Sequence, residues 1–290
     1  MKKSRVRSAK IVCRIILIAL ATAFLALAVP YCRRAAALDS CPDSLLPSMA
    51  YMLVNNRATW IRGAWGTLRV SVLGTVIGFA LAVLLSFCRA LPVQKKDPLI
   101  VRAAKRLAVR AEKIYVAVVR GTPMMVQSCI IYYAGFEVAR ALMPGQPLSE
   151  INRAWSFFAA ALITVSMNTA AYLAEALRGG MESLDRSPVE AAQMDGASHW
   201  QTMTRIIFPQ ALQNALPAIG NELVNNIKGT SVLNIIGFVE LMFATGTVAG
   251  FYYRYLSAYL IAAVIYLAMT VTITRAVEWA MRKAEISEKK

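Results

Sequence analysis

The chain has 290 residues, with 32 Lys+Arg against 16 Asp+Glu and a formal net charge of +16, yet 58% of it is hydrophobic and only 17% charged. This apolar content excludes a disordered polyelectrolyte, and a basic soluble domain would carry about 25% charged residues. A single histidine, His199, excludes a multi-histidine metal site, and five cysteines at this length do not form a disulfide framework.

A bilayer-crossing helix needs about 20 apolar residues. The first such run is Ile11 to Val29, broken only by Arg14. Lys2, Lys3, Arg5, Arg7 and Lys10 precede it, and Ala26-Leu27-Ala28 resembles a cleavage site. It reads either as a cleaved signal peptide or as a retained anchor. Its length, beyond the usual apolar stretch of about 7–15 residues, favours the anchor. Cys32 and Cys41 follow in one connecting segment and are placed to pair only if it faces an oxidising compartment. Cys13, Cys88 and Cys129 sit in or beside apolar runs, where packing explains them.

The second predicted span covers about 63–87 and carries Arg69. A basic loop from Arg89 to Arg120 leads to the third, which follows Thr122-Pro123 and runs to about Met143, with Glu137 and Arg140 near its end. Thr122 and Pro123 read as a hydroxyl cap and a proline in the first turn; Arg120 belongs at the interface in a structural role. The fourth span is Trp155 to Leu177, and Gly179-Gly180 reads as its stop. The fifth, Ala211 to about Ile236, is the most polar. Gly229, Gly237, Gly246 and Gly250 then predict a helix break near 228–231 and a return to the surface near 250. Such backbone is tolerated in a membrane only when buried in protein or lining water. Tyr252, Tyr253 and Tyr255 form an aromatic belt into the sixth span, Tyr255 to Trp279.

Six spans place both termini on one side. Five basic residues lie in the N-terminal tail, nine in 89–120, three after the fourth span and five at the C-terminal end, so twenty-two of the 32 share a side. Positive charge marks the cytoplasmic face, which puts both termini inside. The same division leaves no role for a nucleic acid.

Polar groups inside spans are costly and mark cavities or partners. Asn168 and Glu175 are seven apart and share a helix face, and Arg178 is spaced to pair with Glu175. Asn221, Asn225 and Lys228 form one stripe of the fifth span; Glu222 and Asn226 form the adjacent one. Hydrogen bonding between helices accounts for the asparagines. Glu175 and Glu222 stand equally as structural partners or as lining of a translocation path, where two carboxylates suit a cationic or zwitterionic solute.

Residues 179–210 are too polar to span and too long for an idle connection. Ser187-Pro188-Val189-Glu190 reads as an N-cap, a first-turn proline and a carboxylate at the positive end of a helix. Gly196 ends or bends that helix. A second short helix, His199 to Ile207, precedes Pro209, with Met203, Ile206, Ile207 and Phe208 as its apolar side. The pattern suits a docking helix or an amphipathic helix on the membrane surface.

Glu190-Ala191-Ala192, three residues, Gly196, nine residues, Ile206, then Phe208-Pro209 resembles the EAA loop of ABC-importer permeases. Three more blocks resemble the polar amino-acid branch of that family: Arg120 to Gln127, Asn168 to Gly180 and Pro217 to Ile236. The resemblance covers about residues 60–282. It departs at Phe208, where leucine is usual, and at Gly229, where an acid commonly follows the lysine. It implies an all-α polytopic membrane protein with about six transmembrane helices: a five-helix permease core plus an N-terminal anchor helix. Residues 1–60 would hold the tail, anchor and external segment, 61–282 the permease domain, and 283–290 a cytoplasmic tail. The family assigns ATPase coupling to the positions of Glu190, Ala191, Ala192, Gly196, Ile206 and Pro209; the candidate path residues are Asn168, Glu175, Glu222, Asn225 and Lys228. The implied partners are an ATP-binding cassette subunit pair, a second permease subunit, identical or homologous, and an extracytoplasmic solute-binding protein, all at a bacterial inner membrane. The chain has no Gly-Lys-Ser/Thr phosphate loop, so the resemblance implies no enzyme activity and no cofactor here. An ion-coupled transporter and a membrane sensor docking a cytoplasmic partner are the competing functions.

Overall fold

The computed structural model describes residues 30, 31, 33–35 and 37–288. The first predicted span, its anchor-or-signal alternative, and the Cys32–Cys41 pairing lie outside the described residues. The helices are α1 Leu45–Asn55, α2 Arg57–Arg89, α3 Leu99–Gly121, α4 Met124–Leu142, α5 Leu148–Ala154, α6 Phe157–Glu182, α7 Ser187–Met194, α8 His199–Thr202, α9 Phe208–Gly229, α10 Leu241–Tyr252 and α11 Tyr255–Glu288. Among the described residues, three stretches are long and apolar enough to cross a membrane: Arg57–Arg89, Leu148–Glu182 and Tyr255–Lys283. Two bent helix pairs bring the number to five if each counts as one span.

The chain divides into two compact units. The first takes the described residues up to Ile61 together with Ala244–Val264. Here polar bonds tie α1 down. The Ser48 and Ser257 hydroxyls lie 2.7 Å apart, Asn56 donates to the Tyr252 hydroxyl at 3.1 Å, and Trp60 donates to the Met52 carbonyl at 3.2 Å. Arg254 pairs with Asp43. Sequence reading treats α1 as plain connection, because eleven residues are too few for the span-length signal.

The second unit, Arg62–Phe243 with residues from Ile265 onward, is built around α6. That helix buries Ala160, Ala161, Ala170, Ala171, Ala174 and Gly180, so neighbouring backbones come close. Lipid is as apolar as leucine, so membrane helices associate through such close packing and interhelical hydrogen bonds. Gly78 of α2 shows the fit: a Cβ there would stand 2.6 Å from the Thr169 Cβ. Val70, Val165, Leu233 and Phe238 fill one apolar cluster; Ala82, Val116, Leu173, Leu177 and Ala215 fill another.

Four local expectations are corrected. Gly179-Gly180 does not stop the fourth span, since α6 runs on to Glu182. Gly180 instead admits α9, because a Cβ there would meet the Ala211 carbonyl oxygen at 2.6 Å. The basic segment 89–120 is not a loop but contains α3, whose charges hide its helical pattern from a hydropathy reading. Thr122 does not cap the following helix; its hydroxyl donates back to the Val118 carbonyl at 2.9 Å. Pro209 separates nothing: α8 passes through a π-turn, Met203–Ile207, straight into α9. Proline lacks the N–H that would bond four residues back, and a wide turn absorbs that defect.

Candidate functional site

Two places gather the candidate residues. The first is the polar segment after α6. Its first helix bends into helical backbone one residue before Ser187, since Arg186 already lies in the right-handed helical region. The Asp185 carboxylate accepts from the Ser187 N–H at 3.1 Å and the Ser187 hydroxyl at 2.9 Å, so Asp185 rather than Ser187 caps the helix. These two donors, the backbone one foremost, hold the Asp185 carboxyl below the ordinary carboxylate range. α7 then carries Glu190, Ala191 and Ala192, and none of its residues is buried.

Gly196 stops α7 in the left-handed region, at φ 83°. The Ala197 N–H returns to the Ala192 carbonyl at 2.9 Å, the six-to-one bond of a Schellman stop. Nothing lies within 4 Å of a Cβ built at Gly196, so backbone conformation, not space, demands the glycine. Ser198 and Gln201 form a reciprocal capping box for α8. Beyond it the segment is fastened to the end of α2. His199 Nε2 lies 2.8 Å from the Ala90 carbonyl oxygen, and Phe87 meets both Trp200 and Phe208. Ala192, Gly196, Ala197, Gln201 and Ile206 line one surface depression of about 420 Å³. Pro209 is exposed at the head of α9.

The second place is the polar line through α6 and α9. Asn168 is buried and donates to the Gln127 Oε1 at 3.2 Å. Gln127 in turn closes the break between α3 and α4, with its amide nitrogen 2.7 Å from the Val119 carbonyl and 2.9 Å from that of Thr122. The residue pattern by itself assigns Gln127 no role; a glutamine five residues after the threonine of a threonine-proline break is the signal. Glu175 sits among three arginines: Arg178 at 2.7 Å, Arg120 at 3.6 Å and Arg89 at 4.0 Å. Arg89 also pairs with buried Glu112 at 3.3 Å, and Arg178 with Glu182. One charge network thus joins the end of α2, α3 and α6.

The two stripes of α9 separate by burial. Glu222 and Asn226 are buried, and Asn226 donates to the hydroxyls of Thr75 and Thr169 at 2.8 Å each. Asn221, Asn225 and Lys228 are exposed, and among the described residues no carboxylate pairs with Lys228. The helix then tightens into a 3-10 segment, Thr230–Ile236, and turns at Gly237 with φ 86°. Glu240, missed in the sequence, closes this break. Fully buried, it accepts from the Met242 N–H at 2.6 Å, the Phe243 N–H at 2.7 Å and the Tyr266 hydroxyl at 3.0 Å. A lone acid directly before an apolar helix was the available signal.

Residues 102–285 match the family described as binding-protein-dependent transport system inner membrane component. The chain belongs to that family. Members are permease subunits of ABC importers, not themselves enzymes, and the ATPase is a separate subunit. This permease is 31% identical over 216 residues to the nopaline transport system permease protein NocM of Agrobacterium fabrum, covering 73% of this chain and 83% of the other. It is 30% identical over 208 residues to the arginine transport system permease protein ArtQ of Bacillus subtilis, covering 72% and 84%. Its fold matches a chain in the crystal structure of an amino acid ABC transporter with histidines at a TM-score of 0.65 and 27% identity, covering 80% and 96%. The inward-facing MetNI methionine ABC transporter shares the fold at a TM-score of 0.61 and 16% identity, covering 78% and 96%.

Proposed function

We propose that this permease imports a polar amino acid across a bacterial inner membrane, with both termini cytoplasmic, and that α7 couples it to a pair of ATP-binding cassette subunits. The observation that carries the reading is the mounting of α7. It buries none of its residues, yet both ends are fixed: Asp185 caps one, and Gly196, Ser198 and the His199–Ala90 bond anchor the other. A helix held rigidly but left uncovered suits a transmitter of force to a partner. Glu190, Ala191, Ala192 and Gly196 form that contact, with Ile206 and Pro209 behind them.

The path runs along the exposed stripe of α9, where Asn225 and Lys228 meet the solute, with Glu222 beside them. Asn168 and Glu175 act as ties, since the Gln127 amide and three guanidiniums engage them. The reading of an amino acid as solute is supported by relatives named for nopaline and arginine transport. A second permease subunit completes the path, and a solute-binding protein delivers to the outer face.

Co-expression with a candidate ATPase subunit tests the reading. Glu190→Ala and Gly196→Ala are expected to lose either assembly or coupled ATP hydrolysis, the second because a left-handed alanine costs about 1–2 kcal/mol at the helix stop. Unimpaired ATP-driven uptake in both variants would overturn it.

A further inference from the structure

We infer that α3 is an interfacial helix that binds the anionic headgroups of the cytoplasmic leaflet. The inference rests on α4 as a membrane span and not on the identity of the solute. α3 departs from α4 by 112°, so it runs close to perpendicular to the span it precedes, near the membrane plane.

Its three faces have different chemistry. One packs on protein: Glu112, Val116 and Val119 are buried, Glu112 pairs with Arg89, and the Tyr115 hydroxyl donates to the Met167 carbonyl at 2.7 Å. A second face is an exposed apolar stripe of Ile100, Leu107, Ile114 and Val118, whose spacings of seven, seven and four keep them in line. They are 84%, 69%, 62% and 56% exposed, too much for residues that meet only water. A third face carries Arg106, Arg110 and Lys113, at spacings of four and three. All three are exposed, and no hydrogen bond or ion pair engages them among the described residues. The other three cations of α3 are already engaged, Arg120 with Glu175 at 3.6 Å. Arg102 donates to the Lys95 and Asp97 carbonyls, and Lys105 to the Asp97 carboxylate at 3.0 Å.

An apolar stripe flanked by unspent cations on a helix lying across a span has the chemistry of an amphipathic interfacial helix. Its complement is an acyl layer under phosphates. Since the protein-facing side of α3 joins the charge network of Arg89 and Glu175, leaflet charge would act on the ends of α2 and α6.

Purified, delipidated full-length protein is titrated with phosphatidylglycerol or phosphatidylcholine, and bound lipid is read by native mass spectrometry. The wild type is expected to prefer phosphatidylglycerol. Arg106→Gln/Arg110→Gln/Lys113→Gln is expected to weaken that binding about five-fold per charge, on the order of a hundred-fold in all, from ~1 kcal/mol per basic residue. Arg106→Lys/Arg110→Lys is expected to keep the preference, which separates charge from misfolding. An unchanged preference in the triple Gln variant overturns the inference, as does displacement of the lipid by free glycerol phosphate, which would mark a soluble-phosphate site. In phosphatidylglycerol vesicles, with the other cysteines replaced by serine, Leu107→Cys is expected to resist a water-soluble maleimide while Arg106→Cys reacts. Equal reactivity, or protection of Leu107→Cys only after a second protein is added, also overturns it.

Discussion

Neighbouring glycines at the end of α6 should respond to alanine with opposite signs. At Gly180 a Cβ would sit 2.6 Å from the Ala211 carbonyl oxygen, 3.3 Å from its carbonyl carbon and 3.4 Å from its Cα. Ordinary contact begins near 3.4 Å, and backbone cannot swing aside as a side chain would. α6 and α9 must therefore part along their contact. Overpacking of this kind costs about 1–3 kcal/mol, and the upper end applies when backbone is struck. Alanine's better helix propensity returns about 1 kcal/mol, leaving Gly180→Ala destabilised by about 2 kcal/mol. Gly179 is exposed, helical and free of any atom within 4 Å of a built Cβ. Gly179→Ala therefore retains only the propensity term, a gain of up to about 1 kcal/mol. Thermal unfolding of the purified protein in one detergent, followed by size-exclusion recovery, reads both variants. Equal loss in both would restore the helix-stop reading of Gly179-Gly180 and refute the close-packing account. Wild-type stability in Gly180→Ala would refute it as well.

Glu112→Ala is expected to destabilise by about 1–3 kcal/mol, below the fully buried limit because Arg89 is partly exposed. Glu182→Ala should change stability by less than about 1 kcal/mol, since its pair is solvated; the same unfolding assay ranks them, and the reverse order would contradict the network. Asp185 titrates below its unfolded value of about 3.9, so its cap is fully present above that pH and is lost as pH falls through the lower folded value. A spin label at Gln193→Cys should stay equally restricted between about pH 8 and 5 and loosen only below about pH 4. Loosening already between pH 7 and 5 would count against the cap, and Asp185→Asn should abolish the dependence. Lys228→Met should reduce uptake while leaving assembly and unfolding unchanged, whereas Asn168→Ala should lower stability by about 1 kcal/mol through its lost bond to Gln127; uptake at the wild-type rate in Lys228→Met would remove that residue from the path.

The spans were legible because a membrane selects length and apolarity, two properties carried residue by residue. α3 was not, because its six cations cancel its apolar stripe in any average over a window. Periodicity separated the two stripes of α9 correctly as stripes. It did not say that Glu222 and Asn226 are buried, Asn226 against the Thr75 and Thr169 hydroxyls, while Asn225 and Lys228 stay exposed, since each stripe carries asparagine and one charged residue. Glycine is ambiguous for a physical reason: Gly196 serves its conformation and Gly180 its missing Cβ, and the letter is the same. Arg178 was placed beside Glu175 by three-residue spacing, but Arg89 and Arg120 reach that carboxylate from other helices, which spacing along one helix does not encode. Residue order did expose the Glu190–Pro209 pattern, because its elements are local.

The most direct measurement is solute uptake into proteoliposomes carrying this permease, with and without its ATP-binding cassette subunits and ATP. Coupling through α7 requires uptake only when subunits and ATP are both present, and its loss in Glu190→Ala. Concentrative uptake by the permease alone, driven by an ion gradient, would contradict the account.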